Sequence, residues 1–208
     1  MYNFKNSILL VVFNYSNCVC NKNIIKKIYE NHFKHIIFYS DYPIIQDNEV
    51  NFININKGAN THKIFNHFYK NYKSIIDDSD GLFYTMDDNI VNVNILNLFD
   101  TEKIIYYYNE VKTLDNYSGW QWANPWGKNA INNLINDNAF KKYNIDKFSG
   151  EFSDWFYLPK KYLTDKLFDL FELFSTHEVF LELAIPSIIN NIEMDKSQYQ
   201  HFTDEILW

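Results

Sequence analysis

The stretch 81–90, GLFYTMDDNI, does most to constrain what this chain can fold into. Leu82-Phe83-Tyr84 is a short apolar, aromatic run behind a glycine, the composition of a buried strand. It ends in two adjacent carboxylates, Asp87 and Asp88, followed by Asn89. Paired acids at a buried strand end repel each other and resist desolvation, and a divalent cation removes both objections. In open α/β sheets the carboxyl ends of the strands are also where ligands sit. The competing reading is local: Asp87-Asp88-Asn89 caps a helix or closes an Asx turn.

The preceding sequence builds the sheet that such a strand needs. Residues 8–15, ILLVVFNY, are a nearly continuous apolar run, suited to a central parallel strand covered on both faces. A helical stripe follows over 23–33, at Ile24, Ile25, Ile28, Tyr29 and Phe33. Residues 35–39 and 50–55 read as strands, the first ending in Ser40-Asp41. Residues 56–61 form a turn and helix start, and 62–76 a helix with Ile64, Phe65, Phe68 and Tyr72 on one side. This β-α-β-β-α-β alternation predicts one α/β domain over 1–208: a Rossmann-like, mostly parallel central sheet with helices on both faces. Neither G-x-G-x-x-G nor G-x-x-x-x-G-K-[ST] occurs, which argues against nicotinamide-binding and P-loop sites.

Charge narrows the function. A net charge of −7 excludes a broad basic face for nucleic acid. All 19 basic residues are lysine. A phosphate must therefore be held without the guanidinium fork, by Lys, backbone N–H groups or a metal. Cys18 and Cys20 are too close for good disulfide geometry and lack partners for zinc, so reduced thiols are expected. The apolar run Ile8–Phe13 is too short for a signal-peptide core or a membrane span, and the chain reads as soluble and intracellular, that is, cytoplasmic.

Beyond Asn89 the pattern changes. Residues 91–99 predict a short helix, 104–108 a strand, 129–140 a helix, and 148–158 a turn and strand that gathers Glu151, Asp154 and Trp155. Between them lies an aromatic loop holding Trp120, Trp122 and Trp126, three of the five tryptophans. Trp beside Asn and Gln suits a sugar and equally a core seam; Gly119 and Pro125 favour a loop and hence a subsite wall. Residues 160–174 predict an amphipathic helix, with Thr176 as N-cap and Glu178 in the first turn of the next. Pro186 is expected to break or bend that helix. The tail 195–208 reads as a docked extension or lid.

These residues carry a resemblance to nucleotide-sugar-dependent glycosyltransferases of the GT-A fold. Residues 8–15 look like their first strand, Asn56-Lys57-Gly58-Ala59-Asn60 like their N-x-G loop, and Tyr84-Thr85-Met86-Asp87-Asp88 like their D-x-D or E-D-D segment. Residues 177–182, HEVFLE, resemble the later segment that supplies an acceptor-side carboxylate. The likeness spans 7–190, and the nearest form is the small N-terminal domain of large-DNA-virus glycosyltransferases of rhamnosyl type. Met86 stands where the first acid of the triplet would be, and Glu178 replaces an Asp.

The resemblance implies a metal-dependent transferase moving a sugar from a UDP-sugar donor to a glycan acceptor, with Mn2+ or Mg2+. Asp88 would ligate the metal, with Asp87 and His201 in support. Asn14, Tyr15, Asp41, Lys57, Gly58, Lys63 and Asp87 would hold the nucleotide-sugar. Glu178, then Asp154, would serve as base, and Trp120, Trp122, Trp126, Trp155 and His177 would bind the acceptor. Two other readings stay open: a metal-dependent nuclease or phosphotransferase with Asp41 and Asp154 as further acids, and a non-catalytic carbohydrate-binding relative.

Overall fold

The structure, a computed structural model, describes residues 4–13, 20–42, 47–56, 58–107, 112–113 and 125–202. Its centre is a pair of strands with no exposed position: β1 (Ile8–Phe13) and β4 (Gly81–Met86) are buried at every residue. Continuous apolar runs are what a strand covered on both faces requires. Five more strands extend the sheet: β2 (His35–Ser40), β3 (Val50–Phe52), β5 (Ile104–Tyr107), β8 (Trp155–Pro159) and β9 (Tyr199–Phe202). The order is β3-β2-β1-β4-β8-β5-β9, and β8 alone runs antiparallel to its neighbours. Two short strands, β6 (Lys112–Thr113) and β7 (Ser149–Gly150), form a separate antiparallel ladder. The fold is therefore α/β with a mostly parallel mixed sheet, the coarse class that the alternation predicts.

Alternation sorts the side chains onto two faces. Leu10, Val12, Leu82, Tyr84, Tyr106 and Phe156 point to one core, with Phe65, Phe171 and Ile185 among the helical residues there. The helices on that side are α2 (Lys63–Asn71), α3 (Lys73–Asp77), α4 (Pro125–Asn136), α5 (Asn138–Lys141), α6 (Asp165–Thr176) and α7 (Leu181–Ile192). Leu9, Val11, Phe83, Ile105, Trp155 and Tyr157 face the other core, under α1 (Lys22–Tyr29), Phe4 and Phe99. Gly81 is obligatory, because a Cβ there would run into the Tyr157 hydroxyl.

Several elements differ from the sequence reading, each for a local reason. The helix expected over 62–76 divides at Tyr72, which leaves helical geometry and donates from its hydroxyl to Asn51 Oδ1 at 3.0 Å. Residues 91–99 form turns and a single 3-10 turn, Leu96–Leu98. The helix expected over 160–174 starts at Asp165, behind the extended Thr164, and runs to Thr176. Thr176 is thus a last-turn residue whose hydroxyl donates to Glu172 O at 2.9 Å, and no N-cap. Pro186 does not end α7, although an interior proline costs a helix about 3 kcal/mol. Of the tail, Tyr199–Phe202 pairs with β5 as the edge strand, and 203–208 lies outside the described residues. Among the described residues, no helix is long and apolar enough to cross a membrane.

Candidate functional site

The strand order reverses between β1 and β4: β2 and β3 lie to one side of β1, and β4 lies to the other. At such a switch point the connections diverge and leave a crevice beyond the strand ends. The Asp87 N–H donates to Val12 O at 3.0 Å, which fixes the acidic pair at this point. Asp87 is buried and Asp88 exposed. The turn beyond is closed locally: the Thr85 hydroxyl donates to Asn89 O at 2.9 Å, and the Asn89 amide to Asp88 Oδ1 at 3.0 Å. The turn itself is a backbone one, closed by the Asn89 N–H donating to Met86 O at 3.2 Å.

A third acid comes from the antiparallel neighbour. Thr85 pairs with Trp155, so Asp154 falls opposite Met86, whose N–H donates to Asp154 O at 3.0 Å. Burial raises the Asp154 carboxyl above its usual range, and the charge of Asp88 raises it further. Beneath them lies the fully buried phenol of Tyr84, pushed well up by burial and then by Asp154, with Asp88 and Asp87 adding to the effect. Three carboxylates thus surround one strand end.

The loop 56–61 approaches from the α2 side. Asn56 and Gly58 adopt positive φ, 50° and 89°. The Thr61 hydroxyl donates to Gly58 O at 2.6 Å, and the buried Asn60 side chain has no hydrogen-bond partner among the described residues. His62, fully enclosed at the start of α2, is pushed down to about 3 by burial and stays neutral. Lys63 is half-buried in the first turn of the helix.

The first turn of α7 completes the arrangement. Leu181 N–H donates to Ala59 O at 3.0 Å, and Glu151 N–H donates to Glu182 O at 3.0 Å. These two bonds draw the loop 56–61, the approach to Asp154 and the helix start together. Glu151 is buried, and its Oε1 accepts from Phe152 N–H at 3.1 Å. The Tyr106 phenol donates to Phe152 O at 3.1 Å beside Ser153 Oγ. Burial holds it well above its ordinary range, and Glu151, Glu182 and Asp154 add to that.

The anticipated residues divide accordingly. Asp87, Asp88, Asp154, Gly58 and Lys63 belong to the elements that meet at this edge, and half-buried Asp41 follows the end of β2. Glu178 does not stand in the first turn of α7. It is exposed in the turn after α6 at φ 53°, the left-handed position that ends a helix. His177 Nε2 lies 2.8 Å from Asp137 Oδ2, and Asp137 caps α5 through Ala139 N–H, so His177 clips two helices together. Trp155 is core, stacked on Phe83 at 5.9 Å and Phe99 at 6.3 Å on the opposite face from Tyr84. His201 lies on β9 opposite Tyr106, three strands across from Tyr84. Strand spacing puts that at about 14 Å, so His201 is not brought to the acids. Trp126 is 43 % exposed on α4, edge-on to Phe180 at 6.0 Å. Asn14, Tyr15, Lys57, Trp120 and Trp122 lie outside the described residues.

Sequence reading passed over Glu182, Glu151 and Tyr106 as site residues. One signal was available: Pro186 follows Glu182 by four positions, the spacing at which proline removes the helical donor to a carbonyl. Among the described residues, no three His, Cys, Asp or Glu side chains form a ready-made metal cage. No protein-family model matches the chain, and no curated protein is significantly similar to it.

Proposed function

We propose that the chain is a metal-dependent glycosyltransferase that moves a sugar from a nucleoside-diphosphate sugar, UDP-linked, to a glycan hydroxyl. The observation that carries the reading is the set of Asp87, Asp88 and Asp154 at the β1/β4 switch point. What supports a cation there is donor chemistry: hard carboxylate oxygens, one of them raised by burial and a like charge, which a divalent ion offsets. Mg2+ and Mn2+ sites of this kind use one or two carboxylates and complete their shell with substrate phosphates and water, so a pre-built three-residue cage is not required. Asp88 with Asp87 would hold the ion, which would offset the charge that grows on the diphosphate leaving group.

The chain's own groups do the rest. Lys63 in the first turn of α2, and the backbone at Asn56 and Gly58 with its positive φ, would meet the diphosphate from the α2 side. Asp154, its carboxyl raised by burial and by Asp88, suits proton transfer from the acceptor hydroxyl as the acceptor oxygen bonds to the anomeric carbon and the diphosphate departs with the C–O electron pair. The acceptor-side role expected of Glu178 passes to Glu182, which the Glu151 bond seats beside Tyr106. Trp126 and exposed Phe152 offer aromatic faces to a sugar.

A thermal-shift panel tests this. UDP with Mn2+ should raise Tm, and UDP alone should not. A shift with oligosaccharide but none with UDP or GDP would replace the transferase with a carbohydrate-binding protein. A Mn2+ response indifferent to nucleotide would favour phosphate-ester hydrolysis.

A further inference from the structure

Pro186 sits inside α7, five residues past its start, with Leu183–Ile189 all buried around it. A leucine there would serve the core equally well. In an α-helix each N–H donates to the carbonyl four residues back. Proline has no N–H, and its ring pushes that carbonyl aside. For Pro186 the carbonyl is Glu182 O, and Glu182 O accepts the Glu151 N–H at 3.0 Å. The next residue continues the junction. Ser187 Oγ accepts from Ser149 N–H at 2.9 Å and donates to Ser149 O at 3.1 Å. The segment carrying Glu151 is therefore stitched to α7 by groups that a regular aliphatic helix does not offer.

We infer that Pro186 is a positioning residue for the acceptor side of the site: by removing the N–H at position 186 it reserves the Glu182 carbonyl for Glu151 and holds the two glutamates side by side. The functional meaning of that placement rests on the transferase reading, but the reservation of the carbonyl does not. Tyr106 registers the result, since Glu151, Glu182 and Asp154 all act on its buried phenol.

Two variants of the full chain isolate the missing N–H. Pro186→Ala restores it. Replacing Pro186 by lactic acid, introduced by nonsense suppression, gives the alanine side chain on an ester and leaves the N–H absent. In the ligand-free protein, amide exchange at Glu151 should speed up about tenfold in Pro186→Ala, the scale of one hydrogen bond, and stay near wild type in the ester. The carbon-13 shifts of the Glu151 and Glu182 carboxyl carbons should move in the alanine variant and return in the ester. Unchanged Glu151 exchange in Pro186→Ala would overturn the reserved carbonyl. Changed exchange with unmoved carboxyl signals would overturn the positioning role. An ester that behaves like alanine would assign the effect to ring packing and overturn both. UDP–Mn2+ binding by wild type is a separate measurement, and its absence would remove the transferase reading without deciding this one.

Discussion

The two faces of the sheet use the same strands and spend them differently. Toward α1, Phe4, Phe83, Phe99, Trp155 and Tyr157 pack ring against ring, with the ring planes of Phe83, Phe99 and Trp155 nearly parallel. One residue along each strand, toward α2 and α7, stand Tyr84, Phe156 and Tyr106, and the surrounding buried positions include Asn60, Thr61, His62, Ser153 and Ser187. Thr61, Ser153 and Ser187 are hydrogen-bonded there, but a buried polar group without compensation, as Asn60 is among the described residues, costs about 1–3 kcal/mol, which a face optimised for stability alone would avoid. The α1 face is built for packing. The α2/α7 face keeps polarity where it supports the acids at the strand ends.

The largest effect that separates the faces should come from Asp88→Ala. Asp88 is exposed and holds only the Asn89 amide among its described contacts, so the fold should survive. Mn2+-dependent UDP binding should fall at least about 100-fold, since even supporting groups around a metal are worth 10–100-fold. Calorimetric titration with and without Mn2+ reads this directly, and wild-type affinity would end the ligand assignment. Trp155→Ala should do the reverse. It empties part of a three-ring cluster and should destabilise the protein by about 3–5 kcal/mol in chemical denaturation. The Mn2+ dependence of UDP binding should be kept under conditions where the variant is folded. If the two variants exchanged phenotypes, the division between faces would be wrong.

How much of this was legible beforehand depends on the range of the interaction. The apolar runs ILLVVF and GLFYTM announced buried strands, and the acids after the second announced a polar strand tip, because both signals are local. The face on which Trp155 would lie was not legible. It depends on antiparallel pairing with β4, a partner some seventy residues away, and a one-residue slip would have turned it toward the acids. Glu178 misled for a similar reason. An acid after Ser-Thr-His looks like a helix start, whereas the preceding helix runs on to Thr176 and needs a left-handed stop. The place of Glu182 was hidden because it comes from a carbonyl bonded to Glu151, thirty-one residues away in sequence.

The paired variants Glu182→Gln and Glu178→Gln sharpen the comparison within the α7 side. If Glu182 orients the acceptor, its amide variant should lower transfer from UDP-sugar about 100-fold, the scale of a small misplacement of a reactant, while UDP–Mn2+ affinity stays unchanged. Glu178→Gln, in an exposed helix stop, should leave transfer within about twofold. The opposite order would return the acceptor role to the turn after α6.

The smallest expected effect is on stability and pH, and it contrasts two aspartates. Burial, then Asp88, raises the Asp154 carboxyl, so the folded protein binds that proton more tightly than the unfolded chain does. Its contribution to stability is fully present below the ordinary carboxylate range and is lost as pH climbs through the raised folded value. Asp137 runs the other way. The His177 bond, then the Ala139 N–H, holds its carboxyl below the usual range, so its contribution is present near neutrality and is lost as pH falls. In metal-free protein Asp154→Asn should therefore raise Tm by a few degrees near pH 7, an advantage over wild type that shrinks on mild acidification as Asp154 takes up its proton. Asp137→Asn should lower Tm near pH 7 and flatten the loss in acid. Adding Mn2+ should help wild type more than Asp154→Asn, because a cation beside Asp88 relieves the repulsion that the amide has already removed. Scanning calorimetry between about pH 4 and 7, with and without Mn2+, would show whether the strain at the strand tip is electrostatic. Equal Mn2+ gains in the two proteins would mean that Asp154 takes no part in the cation's field.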